Sequence, residues 1–190
     1  MSTIRVHAAR ATVAALTLSA ALAIAPGTPA HADDTPLVSC DTGYIQQTIS
    51  PGLTALPTFN TVTVTGTFGP CVNQVLDPDH TYGVYTATAS GVISCTINAP
   101  ITNATGTVDW QDASHHHTGS SHFSGGITLS QRPVGETVGI VVATIDSGHD
   151  NDFAGHPINV TSARLNFDPT QCLESGIKSV AGPGTLQVLP

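Results

Sequence analysis

Four histidines crowd into one short stretch, Ser114-His115-His116-His117-Thr118-Gly119-Ser120-Ser121-His122. If its flanks pair as a hairpin over Thr118-Gly119-Ser120, His115 and His117 lie two apart on one strand and project to the same side. His122 on the returning strand then faces them. Three neutral imidazoles converging in this way suit Zn²⁺, Cu²⁺ or Ni²⁺, with zinc–nitrogen distances of about 2.0–2.1 Å. The plainer reading of the same residues is a solvated polar loop. His115, His117 and His122 are therefore the candidate metal ligands, with zinc or copper the cofactor the chain suggests.

Two further polar stretches bear on metal chemistry. Asp146-Ser147-Gly148-His149-Asp150-Asn151-Asp152 places oxygens at alternating positions, as a Ca²⁺ loop does. It lacks the twelve-residue spacing and closing Glu of an EF-hand, and an exposed turn uses the same residue types. Asp77-Pro78-Asp79-His80 also reads as a turn. Catalytic patterns are missing: Glu136 and Glu174 are the only glutamates, and Gly-x-Ser-x-Gly, His-Glu-x-x-His and phosphate-loop motifs do not occur. We assign no catalytic residue. Trp110 shares parity with Val108, opposite Asp109 and Gln111, which predicts a core anchor. As an exposed platform it would instead make the chain a carbohydrate-binding module.

The elements that position these residues follow from alternation. Thr61 to Thr65 sets Val62 and Val64 against three threonines, and Gly91–Ile97, Thr107–Trp110, Phe123–Leu129 and Leu186–Val188 alternate similarly. Thr137 to Ile145 is apolar almost throughout, which predicts a central strand covered on both faces. Parity slips between Ile158/Val160 and Ala163/Leu165/Phe167, predicting a bulge near Thr161-Ser162. Turn formers at Pro51-Gly52, Ala89-Ser90-Gly91, Ser124-Gly125-Gly126, Arg132–Gly135 and Gly182-Pro183-Gly184 divide the runs. No helical stripe is evident. The fold class expected is all-β, an antiparallel immunoglobulin-like β-sandwich of about eight or nine strands.

Residues 1–32 read as a secretory signal peptide: Arg5 and Arg10, a charge-free stretch from Ala11 to Pro26, and Ala30-His31-Ala32 as cleavage site. Residues 33–190 then form a single domain, secreted and extracellular. It keeps Arg132, Arg164 and Lys178 against all 13 acidic residues, a net charge of −10. So acidic a surface excludes nucleic acid and anionic membrane as partners. No later apolar run approaches the roughly 20 residues of a membrane span. Cys40, Cys71, Cys95 and Cys172 are even in number, lack a Cys-x-x-Cys pair and face an oxidising compartment. They predict two disulfides in any of three connectivities.

The Ala-rich leader, Ser50-Pro51-Gly52-Leu53, Gly106-Thr107-Val108-Asp109-Trp110, Phe153-Ala154-Gly155 and Cys172 followed by Gly182–Leu186 resemble a group of small secreted actinobacterial proteins of unknown function. The resemblance spans most of the mature chain. It implies a β-sandwich with two disulfides and carries no activity. The leading functional expectation is a non-catalytic interaction or structural domain whose partner is an extracellular protein or a cell-wall component. The alternative is an exported metal-binding protein.

Overall fold

Thr-x-Thr and Val-x-Val interleaved along one chain make strands with an apolar and a hydroxyl-bearing face, and the apolar faces must meet. In a computed structural model they meet by closing one sheet upon itself. Described are residues 35–73, 77–95, 100–131, 137–148, 150–164 and 169–190. The signal peptide expected over residues 1–32 lies outside them.

The strands are β1 (Val38–Cys40), β2 (Gly43–Leu53), β3 (Thr58–Phe68), β4 (Val72–Asn73), β5 (Tyr82–Ile93), β6 (Ile101–Gln111), β7 (His117–Gln131), β8 (Thr137–Ile145), β9 (Pro157–Arg164) and β10 (Ile177–Val188). A 3-10 turn (Pro78–His80) precedes β5, and a short helix, α1 (Pro169–Glu174), precedes β10. Each of the eight long strands pairs antiparallel with the next, in the order β2-β3-β5-β6-β7-β8-β9-β10. The ring closes where β10 returns to β2, Ser179 opposite Thr48 through Pro183 opposite Tyr44. β1 pairs with the last part of β10, and β4 pairs with β1.

The chain is thus all-β and antiparallel, but it is an eight-stranded barrel, not an immunoglobulin-like sandwich. Alternation reports that each strand buries one face; it does not report whether the first and last strands meet. Closure removes the open edges that a sandwich would leave. The alternating pattern also settles which side faces water. Ile45, Val62, Ala87, Val108, Val141 and Leu186 are buried inside, while Thr48, Thr63, Thr88 and Thr105 stand outside. A barrel spanning lipid has the reverse arrangement. Among the described residues no helix is long and apolar enough to cross a membrane.

Several expected breaks fall inside strands. Ala89-Ser90-Gly91 belongs to β5, Ser124-Gly125-Gly126 to β7 and Gly182-Pro183-Gly184 to β10. At two of them a glycine serves close approach: a Cβ on Gly125 would meet the Val142 carbonyl, and one on Gly184 the Ile45 side chain. Gly106 lies between Ala87 and Phe123 in the pairing, and a methyl group on it would collide with the Phe123 ring and with the Thr86 carbonyl. An aromatic lying over a strand glycine fills the missing volume.

The bulge expected near Thr161-Ser162 is absent: β9 keeps one register with β8 from Pro157 to Arg164, and Ser162 holds the inward position. Residues 165–168 lie outside the described set. Nor is β8 covered on both faces, since Val141, Ala143 and Ile145 are buried and Val142 is 57% exposed.

Buried polar groups are few and specific. The Asn60 amide oxygen accepts from the Gly52 N–H (2.9 Å), and its NH₂ donates to the Thr58 carbonyl (3.1 Å). Tyr85 stacks on Phe123, centroids 5.5 Å apart, and its buried hydroxyl finds no partner among the described residues. Burial alone pushes that hydroxyl above its ordinary pKa of 10.0. Deleting an unpaired buried hydroxyl forfeits no hydrogen bond. Tyr85→Phe is expected to leave stability unchanged or raise it by up to about 1 kcal/mol. A loss above that in urea denaturation would mean the hydroxyl is bonded.

The four cysteines pair as Cys40–Cys71 and Cys95–Cys172, which selects one of the three connectivities.

Candidate functional site

The histidine run does not fold as its spacing suggests. The β6–β7 turn is Asp112–His116, so His115 lies in the turn and His117 already begins β7. His115 takes a left-handed backbone (φ 62°), and its ring stacks on Tyr82 with centroids 4.4 Å apart. The His117 Nε2 is 3.1 Å from the Ser120 hydroxyl. His122 lies opposite Thr107, its Nδ1 2.9 Å from the threonine hydroxyl. Each of the three imidazoles is thus engaged with its own neighbour. Among the described residues no three His, Cys, Asp or Glu side chains are grouped as a metal ion would require.

Asp112 builds that turn. Its carboxylate accepts from the backbone N–H of His116 (2.9 Å) and of Ser114 (2.8 Å). These bonds, His116's first, hold its carboxyl below the ordinary value of 3.8. A carboxylate depressed in the fold contributes stability that is complete above its unfolded pKa and is lost as pH falls through the lower folded value. The Asp112 bonds to the His116 and Ser114 amides are therefore expected to protect both from exchange down to about pH 4 and to be lost together below it. In Asp112→Ala the His116 amide should exchange rapidly already at pH 7. Protection equal to wild type would refute the turn.

The Asp146–Asp152 stretch is a turn tied to its neighbours. The Asp146 carboxylate accepts from the Ser124 hydroxyl (2.9 Å), and the Asn151 side chain links the Asp146 carbonyl to the His122 N–H. His149 lies outside the described residues.

The residue that sequence reading passed over is His80. Asp77 caps the 3-10 turn by accepting from the Asp79 N–H (3.0 Å), which brings its other oxygen 3.0 Å from His80 Nδ1. The Nε2 on the far side of the ring is buried, 3.5 Å from an Asp152 carboxylate oxygen. The ring meets Trp110 and Phe153 edge-on, at 5.4 and 4.8 Å. Trp110 is fully buried, as its parity predicts, and its indole N–H donates to the Ser121 hydroxyl (2.8 Å). It therefore offers no platform to a sugar. This cluster joins the 3-10 turn and the β8–β9 loop to the ends of β6 and β7. Held by Asp77 on one side and packed between Trp110 and Phe153, His80 reads as an anchor.

The outer wall carries an extensive hydroxyl-bearing surface. Thr48, Thr63, Thr88, Thr105, Ser124 and Thr144 are successive cross-strand partners over six strands. Beside them Gln46, Thr65, Thr86, Thr107 and His122 form a second row, and Tyr44, Thr67, Val84, Asp109 and Ser120 a third. Neighbouring strands lie about 4.8 Å apart, so hydroxyls repeat regularly across the wall.

Three open hollows lie end to end along it. One of about 500 Å³ is bounded by Thr63, Thr65, Thr86, Thr88, His122 and Asp146, and its floor includes Gly106. It shares Thr65 and Thr86 with a second of about 280 Å³. That one shares Tyr44, Thr67 and Val84 with a third of about 470 Å³, which ends at Tyr82, Gln111 and His115. Together they make a trough, and neither lysine nor arginine lines it. Tyr44, 58% exposed, stands midway along it.

No family model, curated protein or solved structure matches the chain.

Proposed function

We propose that this protein is an exported, non-catalytic binding domain that uses the outer trough to dock on a cell-wall component. The observation that carries the reading is the trough itself: one connected open channel with regularly spaced hydroxyls, on the outer wall of a barrel whose inward side chains form the core. Two disulfides are in keeping with an oxidising, extracellular setting.

The alternative, a zinc- or copper-binding protein, would have to draw His115 off Tyr82 and His122 off Thr107 before the two could share an ion with His117. It ranks second for that reason.

Co-sedimentation of the secreted protein with purified actinobacterial cell walls tests the reading. The wild type should sediment with the walls. The triple variant Thr65→Val/Thr67→Val/Thr86→Val, which keeps shape and removes three exposed hydroxyls, should sediment at least tenfold less. A wild type that stays in the supernatant, or a triple variant that binds equally well, would refute docking through the trough.

A further inference from the structure

The trough has a chemistry specific enough to name its ligand class, an inference that rests on the binding reading above. Its central stretch is lined by Tyr44, Gln46, Thr65, Thr67, Val84 and Thr86, none of them charged. Its lining histidines and carboxylates stand toward its ends, His122 and Asp146 at one and His115 at the other, and Asp109 flanks it on the neighbouring strand without lining it. The chain around it carries a large excess of acidic residues. A polyanion would meet repulsion without a single lining cation, and a polycation would find no row of carboxylates to pair with.

What remains is a neutral ligand rich in hydroxyls. Each threonine offers one donor and two acceptor lone pairs, with a methyl group beside them. Gln46 adds an amide, two donors and an acceptor on one side chain. The ring of Tyr44 is open to solvent, whereas that of Tyr82 is stacked against His115. An exposed aromatic ring flanked by hydroxyls suits a sugar ring, which has a C–H face to stack and hydroxyls around its rim. Length decides between a single sugar and a chain. Thr63 to Thr67 alone spans about 14 Å of β3, and the hollows continue beyond both residues.

We infer that the trough along β3 and β5 binds a neutral polysaccharide chain, with Tyr44 stacking on one sugar ring and Thr65, Thr67 and Thr86 hydrogen-bonding its neighbours.

Affinity gel electrophoresis of the secreted protein tests this, with dextran, mixed-linkage β-glucan, starch and galactomannan as neutral polymers and polygalacturonate as the anionic one. At least one neutral polymer should retard the wild type and polygalacturonate should not. Tyr44→Ala and the triple valine variant should each weaken the retardation at least tenfold, while Tyr44→Phe, which keeps the ring, should retain it. All altered side chains are exposed, and unchanged thermal melts confirm that the variants fold.

Retardation by polygalacturonate alone, or retardation indifferent to Tyr44→Ala and to the triple variant, would overturn the inference. If no neutral polymer retards the protein while cell walls still bind it through the three threonines, the ligand class falls and the binding reading stands. If neither binds, both fall.

Discussion

Trp110→Ala is expected to destabilise the barrel by about 3–5 kcal/mol, the range for removing a large buried aromatic. The residue has no exposed surface, and its neighbours cannot easily close the gap. Gly83 behind it has no side chain to swing in, and a Cβ built there would already lie 3.4 Å from the indole. His80 and Phe153 rest edge-on against the same ring and would each lose a wall. The Ser121 hydroxyl would lose the indole N–H while still donating to the Asp152 carbonyl (2.7 Å). A loss of that size is a large share of the 5–15 kcal/mol by which domains are stable. The melting temperature should fall by about 10 °C or more at this chain length.

Trp110→Phe keeps an aromatic ring in place and should cost about half as much. Urea denaturation followed by circular dichroism measures both. A cost below about 1 kcal/mol for the alanine variant would show that Trp110 is not the anchor of this end. Wall binding by Trp110→Phe should match wild type, because the indole is remote from solvent.

Trp110 is also a residue whose environment was legible beforehand, because parity with Val108 is a local property of one strand. The same holds for Val62, Val64, Phe123 and Leu186, all buried as alternation requires. What alternation cannot carry is long-range closure. The pairing of Ser179 with Thr48 joins residues from opposite ends of the domain, and a sandwich would have asked the same parity of both. Glycines misled: Gly125 and Gly184 lie within strands where a neighbouring carbonyl comes close, Val142 for the first and Thr161 for the second, and not where the chain turns.

The candidate site was half legible. The threonines that form it are plain in Thr61–Thr67, but they read as the solvent side of separate strands. Only the register, Gln46 to Thr65 to Thr86 to Thr107, makes them one surface. The expected placement of the histidines differs for a related reason, since the hairpin turn lies a few residues earlier than Thr118-Gly119-Ser120 and puts His115 in a left-handed loop position. His80 sits in a short turn, and its value comes from Asp152 and Trp110, which no spacing near it announces.

Removing the Cys95–Cys172 disulfide is expected to cost about 4.5 kcal/mol, and removing Cys40–Cys71 slightly less, about 3.7 kcal/mol. Both figures follow from the chain entropy released when loops of 77 and 31 residues are opened. Entropy alone leaves a difference below 1 kcal/mol, so the local tethers decide how each loss is felt. Cys40 lies in β1, held on one side by β10 and close to β4 on the other, and these ladders persist without the bond. Cys172 lies in α1, a helix of six residues, too short to be stable by itself.

Beside the disulfide, the Ala55 N–H of the β2–β3 loop donates to the Cys172 carbonyl of α1, a long bond at 3.2 Å. The Cys95→Ala/Cys172→Ala variant should therefore lose α1 before it loses the barrel. Its Ser175 and Gly176 amides, which donate to the Gln171 carbonyl, should exchange freely while β5 and β6 stay protected. In Cys40→Ala/Cys71→Ala the same two amides should keep wild-type protection. Guanidinium midpoints of the two double variants, read beside hydrogen exchange, separate the global cost from the local one. A larger loss from the Cys40–Cys71 pair, or an α1 that stays protected without Cys95–Cys172, would mean that the helix is held by packing and the bond only confirms it.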